Sequence, residues 1–342
     1  MSPPAWPRRG CQYRKGVQSM SGVACVALAL LMGYAIQRGG TCTVAALEEV
    51  VQQRRWTRLR ALLEAALWVL GGFVLLRALG RLPQLPMGYP LHWHAAVGGA
   101  LLGLGALING GCAFAVVARI GSGQWAWLAT PPGILLGYML LERWAGVAAA
   151  QPQALPVWLQ AIPMGWGLLV VAALLTRLAW LVWRAAGHWR LGRRVWSPHQ
   201  ATLVIGLVFL LLFVNVGAWA YTDVLAELAS GRFMQLGLRG WLLPALFAGA
   251  LYGGWTAGLW RQCWPSLVTL VRCFCGGLLM GAGAVLVPGG NDSLILFGMP
   301  LLWPNAWLAF ASMCAVVLLA LWWRELWQRA RGRSHARLPA GR

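Results

Sequence analysis

Three polar side chains stand directly behind glycine pairs in otherwise apolar sequence. They are Cys42 after Gly39-Gly40-Thr41, Cys112 after Gly110-Gly111, and Asn291 after Gly289-Gly290. A glycine pair inside an apolar run breaks a helix and bares backbone N–H groups, so a thiol or amide placed there can contact a small ligand. Half-helices that begin within a bilayer also aim the positive ends of their dipoles at such a spot, which favours an anion without a buried lysine. Arg38 and Arg119 flank the two cysteine breaks. A buried guanidinium at either would pair with an anionic substrate or with Glu48 or Glu49; a snorkelling interfacial arginine is the competing reading. Asp292, beside Asn291, suits a cap for a short helix starting at Ser293.

Other chemistry finds little support. The eight cysteines have no CxxC…CxxC spacing, and most sit inside apolar runs, so neither a zinc site nor a disulfide framework is expected. Cys273 and Cys275 are two residues apart, on different faces of a helix, and Cys25, Cys263 and Cys314 read as packing residues. His92-Trp93-His94 reads as an interfacial pair at the start of a span. There is no Walker loop, HExxH, GxSxG or acid/base carboxylate pair, so neither an enzyme nor a cofactor is expected.

The elements that must position these residues are membrane helices. Of the 342 residues 59% are hydrophobic and 8 are acidic, and the mean hydropathy of +0.64 is that of an integral membrane protein. The net charge of +20 would suggest nucleic acid in a soluble protein. Here the cations lie between apolar runs or at the two ends, where topology and anionic headgroups of the lipid bilayer explain them, and no nucleic-acid partner is expected. The 23 Trp fit an interfacial belt.

The apolar sequence is internally duplicated. Gly98-Gly99-Ala100-Leu101-Leu102-Gly103-Leu104-Gly105-Ala106-Leu107 returns as Gly276-Gly277-Leu278-Leu279-Met280-Gly281-Ala282-Gly283-Ala284-Val285, with six of ten positions identical at an offset of 178 residues. Each copy runs into a Gly-Gly break. The glycines within the copies themselves fit close helix packing.

The expected fold is an all-α polytopic membrane protein of about nine transmembrane helices in two inverted repeats, with broken or re-entrant half-helices. A basic tail occupies 1–18, with Arg8, Arg9, Arg14 and Lys15; the first membrane repeat occupies 19–183; a basic cytoplasmic linker occupies 184–200; the second, inverted repeat occupies 201–325; a basic cytoplasmic tail occupies 326–342. Thr43 to Val51 reads as a short amphipathic helix, and Asp223 and Glu227 fall in a loop between spans. The uncharged stretch 144–156 reads as extracytoplasmic. Counting back from the basic stretch Arg184 to Arg194 puts the two glycine motifs antiparallel, the N-terminus outside and the C-terminus in the cytoplasm. The four cations of the N-terminal tail oppose that placement, and the later loops outweigh them.

At Gly33–Cys42, Gly98–Arg119 and Gly276–Pro300 the sequence resembles the YeeE/YedE sulfur-transport family, over about 20 to 325. The resemblance implies a bacterial inner-membrane permease that takes up a small sulfur-containing anion such as thiosulfate through a narrow path lined by Cys42 and Cys112. It also implies a small cytoplasmic sulfur-carrier protein as a partner, which the basic 184–194 stretch could meet. The sequence departs from the family pattern at Gly289-Gly290-Asn291-Asp292, where a third Gly-Gly-Cys would stand, so a three-thiol relay cannot form there. An alternative of another class is a membrane-embedded thiol redox or sulfur-handling protein using Cys42 and Cys112.

Overall fold

The computed structural model describes residues 20–82, 85, 88–144, 163–185, 195–232 and 236–335. The expected tail at 1–18, residues 145–156 of the expected loop, 186–194 of the linker and 336–342 of the C-terminal tail lie outside them. Among the described residues the secondary structure is helical apart from isolated bridges such as that of Gln124 with Cys263.

Helix α1 (Gly22–Gly39) opens behind Ser21, whose hydroxyl accepts the Ala24 N–H, and closes on Gly40 in the left-handed conformation, with φ 53°. A short helix, α2 (Thr43–Gln53), follows after the break, and then α3 (Thr57–Ala78). The expected third span is cut in two: α4 (Trp93–Asn109) ends at Gly110, whose φ of 86° suits glycine alone, and α5 (Ala113–Gly121) resumes behind Cys112. A 3-10 turn, Trp125–Ala129, leads into α6 (Thr130–Met139), and α7 (Met164–Ala185) follows. Helix α8 (Pro198–Val216) starts with a capping box in which Ser197 and Gln200 bond each other's backbone N–H. Next come α9 (Tyr221–Ala229), α10 (Gly237–Thr256) and α11 (Leu267–Leu286). A short helical segment begins at Asn291 and continues as a wide turn over Leu294–Gly298, before α12 (Pro304–His335). Asp223 and Glu227 thus belong to a helix, α9, rather than to a loop; its two acids hide it from a hydropathy reading.

Among the described residues, six helical stretches are long and apolar enough to cross a membrane: Gly22–Gln53, Thr57–Ala78, Trp93–Gly121, Pro198–Val216, Leu267–Leu286 and Pro304–Arg329. Gly165–Trp180 is apolar and shorter.

The helices form two groups. Helices α4, α6, α11 and α12 pack together, as do α1, α3, α8 and α10, and the short helices α2, α5 and α9 lie against them. Lipid offers no hydrophobic drive for helix association, so small residues that let backbones approach carry it. A Cβ on Gly98 would stand 2.7 Å from the Gly283 carbonyl oxygen, and one on Gly105 2.6 Å from that of Gly276, which fixes α4 and α11 as antiparallel. Gly99 and Gly103 approach Ala309 and Met313 of α12, and Gly277 and Gly281 approach Thr130 and Ile134 of α6. The glycines of both sequence copies therefore serve packing. Helices α1 and α8 also run antiparallel: Gly39 packs on Ala201, while the Met20 N–H donates to Asn215 Oδ1 at 2.8 Å.

Candidate functional site

The glycine breaks bring the starts of four helical segments to one buried point. The first backbone N–H of α2, on Thr43, donates to Cys112 Sγ at 3.3 Å. The first N–H of α5, on Ala113, donates to Asn291 Oδ1 at 3.0 Å. From the start of α9, the Tyr221 hydroxyl donates to the Ala113 carbonyl at 3.2 Å. Beside it the Thr222 hydroxyl donates to Asp292 Oδ1 at 2.5 Å, and the Thr222 N–H reaches Oδ2 at 3.4 Å. The short helical segment therefore begins two residues earlier than the sequence suggests, and Asp292 binds across to α9 instead of opening it. The starts of the four segments repeat the sequence offset: Thr43 of α2 and Tyr221 of α9, like Ala113 of α5 and Asn291, are 178 residues apart.

Cys42, Cys112 and Asn291 are 6%, 0% and 1% exposed. The Cys42 and Cys112 side chains meet, and Cys112 also lies beside Asn291. Around them, buried donors stand without hydrogen-bond partners: the hydroxyls of Thr41 and Thr43 and the Nδ2 of Asn291. Native interiors rarely leave such groups unpaired, and a ligand or water is the usual reason. Asn291 also lines a cavity of about 10 Å³, room for one water, together with Gly290, Thr222, Ala113, Leu102 and Met280. Short helices starting at one point concentrate positive dipole ends, and thiols, hydroxyls and an amide supply donors beside them. The arrangement suits an anion with both soft and hard acceptor atoms.

The glycines behind the junction divide by role. Gly40 and Gly110 take left-handed conformations at the ends of α1 and α4, and Gly111 is buried against the Trp127 ring. Gly289, with φ 143°, leaves room for Ser293, and a Cβ on Gly290 would stand 2.4 Å from Thr222 Oγ1.

The two arginines separate. Arg38, in the last turn of α1, is buried, donates to Thr256 Oγ1 at 2.8 Å and lies 4.9 Å from the Tyr34 ring centroid. Arg119 is exposed at the far end of α5, donates to Gln124 and lies 5.6 Å from the Trp127 centroid. With Arg272, whose Nη2 would be 3.6 Å from a Cβ on Gly110, Arg119 places positive charge around Trp127, on the Gly110 side of the junction. Glu49 pairs with Arg58. Among the described residues no group of three His, Cys, Asp or Glu side chains could hold a metal ion.

Sequence reasoning missed Thr41, Tyr221, Thr222 and Asp223. The duplication could have found α9, since the offset of 178 carries Thr43 onto Tyr221.

A family model described as sulphur transport matches residues 38–319. A thiosulfate transporter TsuA of Spirochaeta thermophila is 28% identical over 323 residues, covering 82% of this chain and 92% of the relative. A thiosulfate transporter TsuA of Escherichia coli is 25% identical over 338 residues, covering 89% of this chain and 94% of the relative.

Proposed function

The chain belongs to the sulphur-transport family, and from that premise we propose that it is a multi-pass permease carrying a small sulfur-containing anion, thiosulfate foremost, through the junction of short helices. The observation that carries this reading is the set of unpartnered buried donors on Thr41, Thr43 and Asn291 around the Cys42–Cys112 contact. Thiosulfate has a soft terminal sulfur and hard oxygens: thiols suit the first, and amide, hydroxyl and backbone N–H donors suit the second. Arg119 and Arg272 would draw the anion toward Gly110. Buried Arg38 would serve as fixed positive charge beyond it.

We read the membrane part as about nine crossings in two inverted repeats. The antiparallel packing of α4 on α11 and of α1 on α8 supports this, because each pair joins segments equivalent under the 178-residue offset. Inverted halves would bring their broken helices to the midplane from opposite sides, as a path between two compartments requires. The basic residues beyond α12 and in the 184–194 stretch favour a cytoplasmic C-terminus in a bacterial inner membrane, and they suit an acidic face of a small sulfur-carrier protein.

The Cys42–Cys112 contact also favours a second reading, a reversible thiol redox pair. Counterflow in proteoliposomes separates the two. Purified protein reconstituted with unlabelled thiosulfate inside should draw radiolabelled thiosulfate inward with both thiols remaining titratable. Consumption of the thiols without exchange of label would favour the redox pair.

A further inference from the structure

The second half carries a chemistry that the first lacks. Thr222 and Asp223 on α9 face Asp292 and Ser293 in a crossed lattice: Thr222 Oγ1 donates to Asp292 Oδ1 at 2.5 Å, and Ser293 Oγ donates to Asp223 Oδ1 at 2.6 Å. The positions equivalent under the 178-residue offset are Val44, Ala45, Phe114 and Ala115, none of which can ionise. The two carboxyls therefore are not part of the framework common to both halves. Asp292 is 2% exposed, whereas Asp223 is half-buried, so the pair runs from a partly accessible group to one sealed at the junction.

A bare pair of acids would prove nothing, but this pair adjoins the candidate anion site. Thr222, which binds Asp292, lines the same small cavity as Asn291. The Oδ1 of Asn291 is held by the Ala113 N–H, and its Nδ2 is buried with no acceptor. An anion accepting from Asn291 would stand within one hydroxyl of the Asp292 carboxyl. Two carboxylates and an anion crowded into a low-dielectric space cannot all stay charged, and taking up a proton is the least costly relief. The other groups facing the pair are Arg239 and Glu227, which bind each other at 2.8 Å, and the Tyr89, Tyr138 and Tyr221 phenols, which in turn face Arg232, Glu142 and Cys112. Arg239 is engaged by Glu227 and by the Ala218 carbonyl.

We propose that the Asp223–Asp292 pair is a proton site that couples anion entry to proton entry. This rests on the permease reading above and names its energy source. One proton binds a carboxylate oxygen of the pair from the side on which the anion arrives, crosses with it, and leaves to water on the other side. An inside-negative potential of 100 mV opposes each negative charge roughly 50-fold, so a dianion that enters with a proton is spared one such factor.

The test uses the full protein in proteoliposomes with a pH-sensitive dye trapped inside and no imposed potential. Adding thiosulfate outside should acidify the lumen, and a lumen made alkaline by one pH unit should raise accumulation of radiolabelled thiosulfate up to tenfold. Asp292→Asn should remove both effects. Net entry of thiosulfate with no change in lumen pH, in the unmodified protein, would overturn the coupling alone. A lack of any thiosulfate exchange would overturn the permease reading and the coupling with it. Accumulation by Asp292→Asn that still follows the pH gradient would also overturn the assignment.

Discussion

Replacing Asn291 by aspartate changes one atom in the candidate path. The Oδ1 that accepts the Ala113 N–H at 3.0 Å is retained, while the unpartnered Nδ2 donor becomes an anionic oxygen. An anion passing beside it through a widened junction would come within about 4 Å, where two unit charges at an effective dielectric constant of about 20 repel by about 4 kcal/mol. The lost hydrogen bond to a charged acceptor adds about 1.5–3 kcal/mol. Together these weaken anion binding by roughly 10⁴- to 10⁵-fold.

The assay is initial uptake of radiolabelled thiosulfate by cells lacking other sulfur-anion transporters, at equal membrane levels of each protein. Asn291→Asp should fall to background at neutral pH. Its uptake should partly return as the pH falls, because a protonated carboxyl is neutral and donates again. Asn291→Cys, which restores a thiol donor, should retain uptake. Neutral-pH uptake by Asn291→Asp within tenfold of the unmodified protein would refute the reasoning.

Gly281→Ala would place a Cβ 2.1 Å from the Ile134 carbonyl oxygen and force α11 away from α6. A loss of about 1–3 kcal/mol should appear as a lower Tm in detergent, while Gly165→Ala, with open space around it, should leave Tm unchanged. A mild oxidant should join the adjoining Cys42 and Cys112 and stop uptake, and a thiol reductant should restore it; uptake that survives oxidation of both thiols contradicts their place in the path. Glu64 bonds Arg177 at 2.9 Å and His199 at 2.7 Å, tying α3 to α7 and α8. All three side chains are partly exposed, so Glu64→Gln should cost about 1–2 kcal/mol, measured by thermal unfolding in detergent.

Much of the framework can be read from glycine. The duplicated motif yields the α4–α11 contact because its glycines must face a backbone, and the Gly-Gly pairs mark where α1 and α4 stop. Side-chain partners across breaks are a different matter. Nothing local ties Asn291 to Ala113, or Thr222 to Asp292, since these contacts arise only when two halves fold against each other. Helix α9 escaped because Asp223 and Glu227 lower its hydropathy, although both are turned inward to Ser293 and Arg239. The arginines looked alike in sequence, each beside a cysteine break. Arg38 is three residues before its break's end and enters the core with the last turn of α1, whereas Arg119 lies two turns beyond its own break and emerges at the surface.

The most direct measurement is radiolabelled thiosulfate uptake by Cys112→Ala. Cys112 opens α5, accepts the first N–H of α2, meets Cys42 and lies beside Asn291, so three of the four segments of the junction meet at it. In cells without other sulfur-anion transporters, the unmodified protein should accumulate label and Cys112→Ala should not, at equal abundance and unchanged Tm. Equal uptake by the two proteins would contradict passage through this junction.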